Sequence, residues 1–321
     1  MARMTRIGLA LGGGGLTGGA FHAGVLSALA AAAGWDARTS HIVMGTSAGA
    51  ITAAGLRAGM PPSDMLRRHL KEPLSPAGQV LLNRVRPDAR QLPQPGDRKL
   101  APASPDLLRL IARNLGSAHP GRVAAGALPE GRVSTVGIER SIGELCGNVW
   151  PAAPLWITAL RLSDGERVVF GRDDAGQPPP IGAAVAASCA VPGYFTPVTI
   201  GAERYVDGGM TSVCNADALL GQGLDVVVIS APMAIHSGLR WALDTTVRRV
   251  VRQQVDREVA LLRKEGTRVF VFAPVAADVD AMGANPMAPG REPQVARTSH
   301  ASACARIAAD PGLREALTGP R

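Results

Sequence analysis

Ile42-Val43-Met44-Gly45-Thr46-Ser47-Ala48-Gly49-Ala50 holds an apolar run, a Gly-x-Ser-x-Gly turn and the start of an Ala-rich stretch within a few residues. A sharp turn from strand to helix tolerates only small residues beside a strained serine. It lifts the hydroxyl clear of the sheet and sets it at a helix N-terminus, where developing negative charge is stabilised. Ser47 is the candidate nucleophile, flanked by Gly45 and Gly49. The alternative is an ordinary βα turn with an N-capping serine.

Upstream, Ile7–Leu11 reads as a strand and leads into Gly12-Gly13-Gly14-Gly15-Leu16-Thr17-Gly18-Gly19, with a helix expected from about Gly18 to Ala33. Two strand–turn–helix units in succession imply parallel pairing through right-handed crossovers, with both loops opening at one edge of the sheet. The glycine loop has two readings. Gly13, Gly15 and Gly18 fit a dinucleotide fingerprint, but that reading needs an acid at the end of the second strand. Here that strand ends in Gly45-Thr46-Ser47, and Asp36 lies before it. In the other reading the consecutive amides form an oxyanion hole, where each preset donor contributes about 2.7–4 kcal/mol.

Far downstream stands Val206-Asp207-Gly208-Gly209, at the end of a second strand pair, Thr196–Ile200 and Arg204–Val206. Asp-Gly-Gly is commonly a plain turn. It gains interest because no histidine is well placed to act as the base. His22 is on the first helix, His41 precedes the second strand, and His69 and His119 lie in or beside an irregular region. Only His236 and His300 follow Asp207, as the Ser-Asp-His order of α/β-hydrolases requires, and neither has a strand-end context.

The remaining chain is organised around these blocks. Seven prolines between Pro73 and Pro105 suggest an irregular insertion over residues 73–150, a candidate lid, with short helices near Pro105–Leu115 and Gly137–Cys146. Strands are expected at Leu155–Leu162 and Arg167–Phe170, a helix at Ile181–Ser188, and strands at Val226–Ser230 and Arg268–Phe272. Helices are expected over Leu239–Lys264 and Gln294–Ala308, the latter in a C-terminal extension covering 276–321. The 321 residues are expected to form one domain with its core at about 7–275.

Net charge is +8, with 31 Arg and 3 Lys spread along the chain rather than clustered, and aromatics are only 3%. No basic stripe interleaved with aromatics points to nucleic acid. Cys146, Cys189, Cys214 and Cys304 are scattered, a pattern of reduced structural thiols rather than disulfides or a metal site. Residues 1–6 lack the features of a secretory leader, and Ala23–Ala33 reads as a buried helix, so the expected location is cytoplasmic, with peripheral contact at the inner membrane surface left open.

The ensemble resembles the patatin-like phospholipases. Gly13-Gly14-Gly15-Leu16-Thr17-Gly18 is similar to the family's glycine-rich block, Gly45–Gly49 to its nucleophile elbow and Asp207-Gly208-Gly209 to its aspartate block. Ala187-Ser188-Cys189-Ala190-Val191-Pro192-Gly193-Tyr194-Phe195 resembles the segment ahead of that aspartate. The likeness covers roughly Ile7 to Val275 and is weak across Pro73–Trp150. It implies a three-layer α/β/α fold with a mostly parallel central sheet. It also implies a Ser47–Asp207 dyad without histidine, oxyanion donors from the amides of Gly13, Gly14 and Gly15, and hydrolysis of a lipid acyl ester. The family often carries a basic residue where this chain has Thr17, and the extra Gly12 leaves the donor register open by one residue. Such a dyad would work through an acyl-Ser47 ester and requires neither metal nor cofactor. The expected partner is a lipid or other acyl ester, with transient membrane-surface contact open. The alternatives are a soluble esterase or thioesterase using the same dyad, and a nucleotide-binding module using Gly13–Gly18.

Overall fold

A computed structural model describes residues 5–90, 95–97, 101–113, 119–172, 176–235 and 242–318. His236 and the start of the helix expected from Leu239 lie outside the described residues. The apolar runs become strands: β1 (Ile7–Leu11), β2 (Ile42–Gly45), β3 (Leu155–Arg161), β4 (Arg167–Phe170), β5 (Val198–Ile200), β6 (Glu203–Asp207), β7 (Val226–Ser230) and β8 (Arg268–Phe272). They form an eight-stranded sheet of order β5-β6-β3-β2-β1-β7-β8, with β4 also pairing β3. β8, β7, β1, β2 and β3 are parallel, while β4 and β6 run antiparallel to β3, and β5 antiparallel to β6.

Alternation along the strands separates two buried layers, the hallmark of a sheet covered on both faces. Leu9, Leu11, Val43, Ile157 and Val228 join one core cluster with α1 (Gly15–Ala28), α2 (Ala48–Arg57) and α8 (Ile181–Ser188). Ala10, Met44, Trp156 and Ile229 face the other, covered by Val251, Val255, Val259 and Leu262 of α9 (Ala242–Lys264). The fold is thus a three-layer α/β/α arrangement. α1 begins at Gly15, three residues before the expected start, because the last glycines of the loop already turn into the helix. It widens into a π-helical turn over Leu29–Ala33, closed by Gly34 in the left-handed region (φ 72°).

Two expectations are corrected. The 73–150 segment is less irregular than expected: besides α5 (Pro105–Arg113) and α7 (Val136–Leu145), the expected short helices, it holds α4 (Pro76–Asn83) and α6 (Pro120–Ala127), after α3 (Pro62–Leu70). Pro76, Pro105 and Pro120 stand at helix starts, where a missing N–H costs nothing, so proline there opens helices rather than breaking them. Nor does the core end near residue 275. Following α10 (Ala276–Met282), α11 (Glu292–Ala309) buries Val295, Ala296, Ala303 and Ile307 in the α1-side core, joined by Leu313 of α12 (Pro311–Thr318).

Among the described residues, one helical stretch, Gly15–Ala33, is long and apolar enough to cross a membrane; it is 67% buried within the fold. Its burial follows from its position between the sheet and α11. The contact is close at Gly24, where an added Cβ would lie 2.0 Å from Ser299 Oγ and 2.7 Å from Ala296 O. Replacing Gly24 by Ala gains about 1 kcal/mol of helix propensity but must push two helices apart. The expected outcome is a net loss of about 1–3 kcal/mol in urea unfolding.

Candidate active site

β1 and β2 pair in register, Leu11 with Gly45, so the glycine loop and the Ser47 turn leave the same edge of the sheet side by side. Thr46 N donates to Leu11 O at 3.0 Å, which ends the ladder one residue before the serine. Ser47 then adopts φ 55°, ψ −122° and α2 begins at Ala48. A non-glycine residue in this region stores about 1–3 kcal/mol of strain, held by the surrounding structure. The flanking glycines allow that hold. A Cβ at Gly45 would lie 2.5 Å from Ala50 Cα, and one at Gly49 only 2.0 Å from Leu11 O. Ser47 has no side-chain capping bond, which counts against the plain N-cap reading.

β6 delivers Asp207 to the same place by an unusual route. Pro154 O accepts from Val43 N on β2, and Leu162 N donates to Arg204 O on β6. Both are even-numbered positions of the β3 strand path and therefore share one edge, while Arg161 N faces β4 on the other. β2 and β6 thus approach each other head-on along that edge. Gly45 ends opposite Ile157 and Asp207 opposite Ala159, leaving only Thr158 between.

The two candidate residues come together: the Ser47 side chain acts on the Asp207 carboxyl and pulls it down, and Asp207 Oδ1 accepts from Gly209 N at 2.7 Å. Asp207 is buried, and burial pushes its carboxyl up from 3.8 to about 6, against the opposing pull of the Ser47 side chain and the Gly209 bond. Three consecutive residues at the end of α8, 188–190, hold both partners. Ser188 Oγ accepts from Ser47 N at 2.9 Å, the Cys189 thiol donates to Ser47 O at 3.3 Å, and Ala190 O accepts from Asp207 N at 3.0 Å. Sequence reasoning noted this segment only as a family likeness; its bonding role has no local signature.

The glycine loop requires one correction. Gly13 lies against Ser47, with an added Cβ falling 3.4 Å from the serine Cβ, but its amide already donates to Val213 O at 2.9 Å. Gly12 N is likewise engaged by Ser230 O, and Gly18 N by Gly14 O. The amides of Gly14 and Gly15, at the start of α1, meet no acceptor among the described residues. The candidate oxyanion donors therefore narrow to Gly14 and Gly15. His22 steadies the loop from α1: Nε2 lies 2.7 Å from Gly12 O, a pure acceptor, so Nδ1 accepts from Ser230 Oγ at 2.8 Å. Full burial pushes this imidazole down to about 4. Thr17 is buried under residue 286, its amide donating to Pro286 O at 3.2 Å, and so supplies no charge to the site.

The other described histidines have their own surroundings. His41 Nδ1 accepts from Ile7 N, His119 Nδ1 from Gly121 N, and His300 lies on α11 with Nε2 3.7 Å from Cys304 Sγ. The acid that a dinucleotide would need is also absent from the end of β2, and Asp36 pairs with Arg38 at 2.6 Å. All four cysteines are free.

Beside Ala48 and Gly15 opens a mostly apolar cavity of about 600 Å³. One wall is made by Gly15, Gly19 and Ala23 of α1 and by Ala48, Ile51 and Gly55 of α2. Leu82, Val85 and Ile142, from the segment expected as a lid, form part of another. His69 also lines it, pushed down to about 4 chiefly by burial.

A family model for patatin-like phospholipase matches residues 9–220, and the chain belongs to that family of lipid-acting hydrolases. Among solved structures it is similar to VipD from Legionella pneumophila, at 14% identity and TM-score 0.42, covering 95% of this chain and 67% of that one. It is also similar to the type III effector protein ExoU, at 18% identity and TM-score 0.38, covering 97% of this chain and 53% of that one. No curated protein sequence matches the chain significantly.

A buried carboxyl raised from 3.8 to about 6 costs the folded state about 3 kcal/mol once ionised, at 1.36 kcal/mol per pH unit. The unfolded chain loses its proton first, so stability falls as pH rises from 3.8 to about 6. Asp207→Asn is therefore expected to raise stability at pH 8 by up to about 3 kcal/mol, and to lose that advantage below pH 4, as read by thermal melts.

Proposed function

We propose that the chain is a serine acyl hydrolase cleaving ester-linked fatty acyl chains of lipids, with Ser47 as nucleophile and Asp207 as base. The observation that carries this reading is the meeting of Ser47 with the buried Asp207 carboxyl at a strained elbow, beside the unengaged amides of Gly14 and Gly15 and the cavity of about 600 Å³. Ser47 Oγ attacks the ester carbonyl carbon as its proton passes to Asp207. The oxyanion forms where the Gly14 and Gly15 amides can receive it, and the alkoxide leaves with the proton. Water, giving a proton to Asp207, then adds to the acyl carbon; the Ser47 Oγ–acyl bond breaks, Ser47 takes the proton back from Asp207, and the fatty acid is released.

An aspartate is a weak base toward an alcohol. Burial helps by raising its proton affinity, and preset amides help by lowering the energy of the charge created opposite it. The apolar cavity favours a long acyl chain over a small ester, since its walls offer hydrocarbon contact. Leu16 and Ile51, 42% and 36% exposed on the helices flanking the serine, would meet a lipid surface.

Fluorophosphonate labelling should require Ser47, and Ser47→Ala and Asp207→Asn should each abolish release of p-nitrophenol from acyl esters. For the wild type, kcat/KM should fall as pH drops through about 6, where Asp207 takes up its proton. Folded wild type that neither labels nor hydrolyses would overturn the reading.

Chain length offers a separate test. A Cβ at Gly19 meets nothing within 4 Å, so Gly19→Leu should fold with its side chain in the cavity. Displacing about four methylenes at about 0.8 kcal/mol each should lower kcat/KM for a long acyl ester roughly a hundredfold, with a short ester little affected.

A further inference from the structure

The 188–190 segment holds the Ser47–Asp207 junction from the α1 face, and a fully buried asparagine meets it from the other. Asn215 has φ 53°, a left-handed conformation that asparagine tolerates, and its neighbours Cys214 and Ala216 belong to the α9-side core. Its Oδ1 accepts from the Arg167 guanidinium at 3.2 Å, which fixes the orientation of the amide. Nδ2 then faces Ser212 O at 2.5 Å, Thr46 Oγ1 at 3.1 Å, and Thr158 Oγ1 and Gly208 O at 3.3 Å.

These acceptors are not a random set. Thr46 precedes Ser47, Gly208 follows Asp207, and Thr158 is the β3 residue between the two strand ends. The Thr46 and Thr158 hydroxyls are themselves 2.8 Å apart. A turn residue satisfying only itself would need the Ser212 bond alone; this amide reaches β3 and the residues that follow β2 and β6. Behind it, Ser212 Oγ accepts from Asn215 N at 3.2 Å and donates to Glu258 Oε1 at 2.5 Å, while Glu258 Oε2 accepts from Ala216 N at 3.0 Å. The Asn215 turn is thereby tied to α9.

We propose that Asn215 is a positioning residue for the Ser47–Asp207 pair, holding the ends of β2 and β6 together through Thr46, Thr158 and Gly208, with Glu258 as its anchor on α9. The inference rests on the dyad reading above. Glu258 is buried, and that burial pushes its carboxyl up to about 7, opposed by the Ser212 and Ala216 bonds. The charged and titratable groups around it are Asp217 and Arg167, paired with each other at 2.6 Å, the Cys214 thiol, and Arg257 on its own helix. A proton on Glu258 turns the Ser212–Glu258 bond round, with the carboxyl donating and Ser212 Oγ accepting from both Glu258 and Asn215 N, so the brace and the rate both respond to it.

The test compares Asn215→Gly, which keeps the left-handed backbone and removes every side-chain bond, with Thr46→Val and Thr46→Ser. For p-nitrophenyl ester hydrolysis, Asn215→Gly and Thr46→Val should lower kcat roughly ten- to a hundredfold with KM changed less than about twofold. Fluorophosphonate labelling should slow by the same factor, and Thr46→Ser, which retains the hydroxyl, should recover most of kcat. In Glu258→Gln, the part of the acid limb near pH 7 should disappear and the part near pH 6 remain. Folded Asn215→Gly with wild-type kcat would overturn the inference, as would Thr46→Ser no better than Thr46→Val. An unchanged pH profile in Glu258→Gln would remove the anchor. Should Asn215→Gly not fold, the Thr46 pair decides. Wild type that fails to label removes the dyad reading and this inference with it, whereas labelled wild type beside an unaffected Asn215→Gly removes only the inference.

Discussion

β2 and β6 run toward each other along one edge of β3 and stop with a single β3 residue, Thr158, between their ends. Parallel and antiparallel pairing on the same edge is what lets a serine near residue 47 and an aspartate at 207 meet, each at the C-terminal end of its strand. Every other feature of the candidate site serves or exploits that meeting. The elbow turns Ser47 away from the ladder, and the 188–190 segment ties the backbones of both residues from one face. Asn215 spans the junction from the other face.

The arrangement stores cost as well as geometry. Ser47 sits at a positive φ, and Asp207 carries a carboxyl that burial disfavours in its charged form. Neither would persist without over-determination by neighbours, which is the physical sense of the dense hydrogen bonding around them. The same burial that destabilises the ionised aspartate makes it the stronger base. Stability and reactivity are opposed at this one atom pair, as is common where a site must be poised rather than relaxed.

Several elements were legible because their determinants are local. Ile7–Leu11, Val226–Ser230 and Arg268–Phe272 are short apolar runs bounded by turn or polar residues, and each is a strand with those limits. Ile181–Ser188 is an uninterrupted small and apolar helix with a proline before it, and it too has those limits. Seven prolines over residues 73–105 predict an irregular segment, yet proline is equally at home in the first helical turn, as at Pro76, and only packing decides between the two. Reading a glycine run as a set of candidate oxyanion donors includes Gly13, whose amide is already engaged. Which N–H is already engaged depends on Val213, two hundred residues away in the chain.

By itself the sequence determined the strand–turn–helix units and the need for glycine at 45 and 49, and it singled out Ser47 and Asp207 as candidates for chemistry. These follow from periodicity and from steric limits within a few residues. The tertiary structure alone decided that β2 and β6 end face to face, that Gly14 and Gly15 hold the unengaged amides, and that α11 completes the core against Gly24. It alone joined Asn215 to β3 and to the ends of β2 and β6. Those outcomes depend on hydrogen bonds and contacts between residues far apart in the chain, many of them made by backbone groups that every residue carries and that leave no mark in the sequence.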